Sequence, residues 1–220
     1  MELKGLKINF LGDSITQGYA ATDRDVLGFV GLIASRYGAV CRNYGIGGTR
    51  IAPQKEPSKE PRWDRDFIGR VDEMDPDADI VVVFGGTNDF GHGDAPLGEF
   101  SDRTADTFAG SLHVLCLKLI EKYPSAKIVV ATPLHRRAED DPTVAGRKPD
   151  GTAVFKDYVN LIRQTAEYYG LPLLDLYATS GLQPAVPIIK EKYMNDGLHP
   201  NNAGHSILAD KIAAFLMYSI

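Results

Sequence analysis

The sequence predicts an α/β protein in which a largely parallel, five-stranded sheet lies between helices. Five short apolar runs rich in Val, Ile and Leu alternate with segments of helical periodicity. The runs are nearly continuous in their apolar character, as strands covered on both faces must be. The spacing between them leaves room for the crossover helix that two parallel strands require.

In chain order, the first strand is "LKINFLG" (6 to 12), followed by a helix near 25 to 37. The second strand is "AVCRNYG" (39 to 45), with a helix near 64 to 74, and the third is "DIVVVFGG" (79 to 86). A helix near 104 to 122 then carries His113 and the stripe "HVLCLKLI", which reads as a core-facing surface. "AKIVVATP" (126 to 133) is the fourth strand and "LPLLDLY" (171 to 177) the fifth, separated by a helix near 154 to 169. A last helix near 202 to 218 contains His205 and closes the chain. Right-handed crossovers place these helices on both faces of the sheet.

At 220 residues the whole chain, 1 to 220, is expected to form a single domain. Its 44% hydrophobic and 24% charged residues are those of an ordinary globular protein. With a net charge of -5 and no basic stripe, nucleic acid is not an expected partner. No apolar segment reaches the length of a membrane span, and "MELKGLKINFLGDS" lacks an export signal, so a cytoplasmic location is expected. Cys41 and Cys116 are too few for a disulfide framework and have no metal spacing; both read as reduced, buried small hydrophobes.

In open α/β sheets ligands bind beyond the carboxyl ends of the strands. There the sequence places "GDS", "NYGIGGTR" and "GGTNDFGHGD", with "NDGLHPNNAGH" ahead of the last helix. Ser14 is either a helix cap or a nucleophile. A serine nucleophile needs an imidazole base held by a third group, and His199 with Asp196 three residues earlier can supply both. Read blandly, those two are turn and helix-start residues. Acyl transfer also needs donors aimed at the developing oxyanion. The Gly48 N–H, the Asn88 amide and the Ser14 N–H are candidates, each with a plain turn or capping role as its alternative.

These residues occur in four ordered blocks, "GDSIT", "NYGIGGT", "GGTND" and "DGLHP", and with them the chain resembles the SGNH, or GDSL-type, hydrolases over nearly its whole length. The resemblance implies a flavodoxin-like, three-layer α/β/α sandwich and serine esterase chemistry without cofactor or metal. It implies a triad of Ser14, Asp196 and His199, and an oxyanion hole from Ser14, Gly48 and Asn88. "GDSIT" has no second glycine two residues after the serine, which separates it from the GxSxG elbow of α/β-hydrolases.

Two long loops, 52 to 66 and 135 to 151, leave the predicted ligand side and are dominated by charged residues and proline. Such walls suit a polar ester, and Trp63 could stack on a sugar ring or anchor its own loop. The expected substrate is a small-molecule, short-acyl ester such as an O-acetyl group on a carbohydrate. The alternatives are a lysophospholipase or thioesterase and, from another class, a non-catalytic module with "GIGG" around a phosphate. "GIGGTR" lacks the GxGxxG spacing and a Walker lysine. His92 and His135 could touch substrate or sit in solvated loops, and Asp196, His199 and His205 lack the spacing of a hydrolytic metal motif. The oligomeric state is not legible.

Overall fold

The structure, a computed structural model, describes residues 1–141 and 153–220. Its sheet has five parallel strands: β1 (Lys7–Gly12), β2 (Val40–Gly45), β3 (Ile80–Phe84), β4 (Lys127–Ala131) and β5 (Leu173–Leu174). Their order is β2-β1-β3-β4-β5, that of flavodoxin-like folds, with the reversal point between β1 and β3. Register follows from the pairs Phe10↔Asn43, Phe10↔Val82 and Val82↔Val129.

Strand β3, "IVVVF", is buried at every position. Its side chains alternate between the two faces, as the period of two dictates. Ile80, Val82 and Phe84 enter one core with Phe10 and Val129; Val81 and Val83 enter the other with Leu11, Ile128 and Val130. The first core is completed by α3 (Phe29–Tyr37) and α10 (Asn202–Tyr218), through Phe29, Ile33, Leu208 and Ile212. The second is completed by α6 (Phe108–Lys122) and α7 (Phe155–Tyr168), through Phe108, Leu112, Tyr158 and Ile162. This gives the three-layer sandwich, and each large aliphatic or aromatic side chain buried there contributes about 1.5–3 kcal/mol by leaving water.

The remaining helices are short: α1 (Ser14–Gln17), α2 (Arg24–Leu27), α4 (Phe67–Arg70), α5 (Thr87–His92), α8 (Leu176–Thr179) and α9 (Pro187–Tyr193). Several depart from expectation. The helix expected near 25 to 37 is two, because a Cβ at Gly28 would lie 2.4 Å from the Arg24 carbonyl oxygen and 3.1 Å from Gly18 Cα, a backbone approach that only glycine permits. The segment near 64 to 74 is a series of single turns, with 3₁₀ pieces at Pro61–Asp64 and Val71–Glu73 around α4. The helix expected near 104 begins at Phe108, where the Thr107 hydroxyl accepts the Gly110 N–H. The fifth strand shrinks to two residues because Asp175 caps α8, its carboxylate accepting the Ala178 N–H.

Cys116 is buried as expected; Cys41 is only half-buried, and both are free thiols that burial pushes up to about 12. Leu117 is the exposed member of the "HVLCLKLI" stripe. Part of the second long loop, 142 to 151, lies outside the described residues. Among the described residues no helix is long and apolar enough to cross a membrane.

Candidate active site

Strands β1, β2 and β3 all end at one edge, and the loops leaving them meet there. Asp13 caps α1 by accepting the Ile15 N–H at 2.9 Å, so the capping duty falls on Asp13 and the Ser14 hydroxyl is left for another partner. That partner is His199. Its Nε2 lies 2.9 Å from Ser14 Oγ, across 185 positions of sequence. The other ring nitrogen, Nδ1, donates to the Asp196 carboxylate at 2.6 Å. This second bond fixes the tautomer with Nε2 unprotonated, so Nε2 accepts from the Ser14 hydroxyl.

The Asp196 carboxylate also accepts the backbone N–H groups of Leu198 and His199, which winds residues 196 to 199 into a tight turn. Partial burial works to raise its pKa, but the His199 side chain and these N–H groups outweigh it and bring the pKa down to about 2. Asp196 therefore stays ionised wherever the imidazole is neutral. Asn201 ties the turn to the helix behind it: its side-chain oxygen caps α10, while its amide donates to Asn195 and to the Lys192 carbonyl.

The "GIGGT" turn is held from two sides. Arg70, buried in α4, donates to the carbonyls of Gly12 and Tyr44 and to the Thr49 hydroxyl, which joins the ends of β1 and β2 to the turn. Its burial depresses the guanidinium to about 10. From α5, which follows β3, the Asn88 amide donates to the Thr49 carbonyl at 2.9 Å, and the Asp89 carboxylate accepts the N–H groups of Ile51 and Ala52. Three donors on residues that line the same cleft, the second Asn88 amide hydrogen and the N–H groups of Gly48 and Ser14, have no acceptor among the described residues. Gly47, by contrast, spends its N–H on the Gln17 side chain.

Ser14, Gly48, Asn88 and His199 line one cleft of about 310 Å³, together with Gln17, Tyr19, Arg24, Arg62, Trp63, His92 and Leu198. Asp196 stands behind the imidazole, outside that wall. A neighbouring cleft of about 480 Å³ lies beyond Trp63 and His92, and neither Ser14 nor His199 lines it. Tyr19 packs against the His199 ring at 4.5 Å, and the buried His205 holds the Tyr19 carbonyl at 3.1 Å. Trp63 is half-buried, pressed against Gly48 and 4.9 Å from the His92 ring.

Of the other histidines, His92 reaches the cleft while its Nδ1 meets Arg50. His135 donates to Glu139 and stacks on Tyr177, away from the cleft. His113 bonds Tyr169 and the Phe100 carbonyl inside the core. The sequence reading missed Tyr19, Arg24, Arg62 and Arg70. Tyr19 could have been found from its closeness to Ser14 in the chain, whereas arginines in polar segments carry no signal that separates them from solvated surface.

The model of the GDSL-like lipase/acylhydrolase family matches residues 10–207. A solved protein from Lactobacillus plantarum is 31% identical, with 99% of each chain covered and a TM-score of 0.83. A protein titled a possible lipase from Chitinophaga pinensis is 19% identical over 96% of this chain and 98% of that one, TM-score 0.70. A member of the lipolytic G-D-S-L family from Veillonella parvula is 16% identical over 96% and 98%, TM-score 0.64. The last two show the shared fold alone. No curated protein matches the chain. With a family model spanning all four blocks, the chain belongs to the GDSL-like lipase/acylhydrolase family, and it is an ester-hydrolysing enzyme.

Proposed function

We propose that this enzyme cleaves short-acyl carboxylic esters of polar alcohols, O-acetyl groups on carbohydrates among them, through an acyl-enzyme on Ser14. His199 takes the Ser14 proton through Nε2 as Oγ attacks the ester carbonyl. The oxygen that becomes negative is held by the N–H groups of Ser14 and Gly48 and by the Asn88 amide. Asp196 keeps the imidazole oriented and stabilises the imidazolium that forms. His199 next gives the proton to the departing alcohol oxygen; water, activated by the same nitrogen, then releases the acid and restores Ser14.

The observation that carries this reading is the continuous bond path from Asp196 Oδ2 through His199 to Ser14 Oγ beside the unbonded donors. The cleft wall favours a small, polar substrate, since Leu198 is the one aliphatic side chain in it and the rest is polar, basic, aromatic or glycine. A series of aryl esters from acetate to dodecanoate, run beside acetylated sugars with the Ser14→Ala protein as control, tests both parts. The expected result is fastest turnover of acetyl esters and loss of nearly all of it in the variant. A preference for long acyl chains would instead support a lysophospholipase or thioesterase.

A further inference from the structure

The wall of the Ser14 cleft carries two positive charges, Arg24 and Arg62, and no Asp or Glu lines it. That is unexpected on a chain with a net charge of -5. Arg36 is paired with Asp210, Arg42 with Asp75 and Arg65 with Glu73, whereas Arg70 and Arg103 donate to backbone carbonyls. Among the described residues no carboxylate lies within ion-pair distance of Arg24 or Arg62. Both residues are exposed at the mouth of the cleft, Arg24 also lining a neighbouring cleft with Asp196, and positive charge at a cleft mouth draws in anions.

The two stand at different places. The Arg24 guanidinium lies 5.3 Å from the Tyr19 ring, which itself lies against His199, so Arg24 sits on the imidazole side. Arg62 adjoins Trp63, on the Gly48 side. A departing alcohol must come within reach of His199 Nε2 to receive its proton, which brings that half of the substrate toward Arg24. A guanidinium offers a planar fork of donors that matches a carboxylate or phosphate in two-point contact.

We propose that the ester cleaved at Ser14 carries an anionic group, carboxylate or phosphate, on its alcohol part, bound by Arg24 with Arg62 adding to the field at the cleft. The proposal rests on the ester-hydrolase reading of Ser14 and narrows its substrate to esters of acidic alcohols.

The test compares kcat/KM for three acetyl esters of similar size, those of ethylene glycol, glycolate and ethylene glycol phosphate, in dilute buffer. At least one charged ester should be preferred over the neutral one by about tenfold, the scale of one or two partly solvated ion pairs. The carboxylate and phosphate arms tell which anion is selected. The preference should fall away in Arg24→Gln and in salt near about 1 M, where the screening length shrinks to a few ångströms. In the Arg24→Glu, Arg62→Glu protein the order should invert, with acetylcholine favoured over the anionic esters; loss of a merely structural arginine would not reverse the sign. Equal kcat/KM for charged and neutral esters, or a preference that survives in both variants, overturns the proposal. Neutral-ester turnover that Ser14→Ala abolishes would then leave the hydrolase reading standing, whereas no hydrolysis of any ester and no labelling of Ser14 removes both.

Discussion

At Gly48 two constraints coincide. Its φ of +82° lies in the left-handed region, and a Cβ there would fall 2.2 Å from the Trp63 ring. Gly48→Ala should therefore displace both the turn and the indole, moving the Gly48 N–H away from the oxyanion. Steady-state assays should show kcat/KM reduced by about 100-fold or more, the usual scale for one lost oxyanion donor. Asn88→Ala removes the amide and also frees the Thr49 carbonyl from its 2.9 Å bond, so a fall at least as large is expected, with kcat affected more than KM. Ser14, His199, Asp196, Gly48 and Asn88 were candidates by residue type and block, and the structure brings the first, second, fourth and fifth to one cleft wall with Asp196 behind the imidazole. Arg70 was not: its role comes from burial among carbonyls of three separate segments, which no local pattern records.

Among the elements, α10 does double duty. Its apolar side closes one core with α3, and its first turn frames the loop that carries Asp196 and His199. Asn201 connects the two functions, and Asn201→Ala should lower stability by about 1 kcal/mol, the typical value of a lost cap. Because the same amide holds Asn195, kcat should fall in this variant even where thermal scans show it fully folded. An unchanged kcat would show that the turn is held by Asp196 alone. The strands and long helices of this layer were legible from periodicity, with errors at their ends. Those errors share one cause, since local caps and close approaches decided the boundaries: Asp175 cut the fifth strand short, and Gly28 split the helix after β1.

Across the whole molecule, two acids near the site pull stability in opposite directions with pH. Asp13 is buried, and desolvation raises its pKa from 3.8 to about 6. A folded-state value above the unfolded one means that the native protein binds the extra proton between those values, so ionised Asp13 costs stability above pH 6 and the cost fades as pH falls toward 4. Asp196 is the reverse case, depressed to about 2, so its contribution is full above its unfolded value and is lost as pH falls through the folded one. Its half-exposed side chain makes that second effect the smaller. Asp13→Asn keeps an acceptor for the Ile15 N–H and removes the buried charge. Denaturant melts should show it more stable than the parent at pH 7, by at most about 3 kcal/mol, with the gap closing near pH 4. A gap that widens on acidification would contradict the assignment. If the chain is one domain, both cores, which share every strand from β1 to β4, should unfold in a single transition in these melts.

The most direct test of the account is covalent labelling with a fluorophosphonate, located by peptide mass spectrometry. The reagent should modify the peptide containing Ser14 alone, leave Ser14→Ala untouched, and react far more slowly with His199→Ala. Modification of a different residue, or an inert Ser14 in a protein that still cleaves esters, would contradict it.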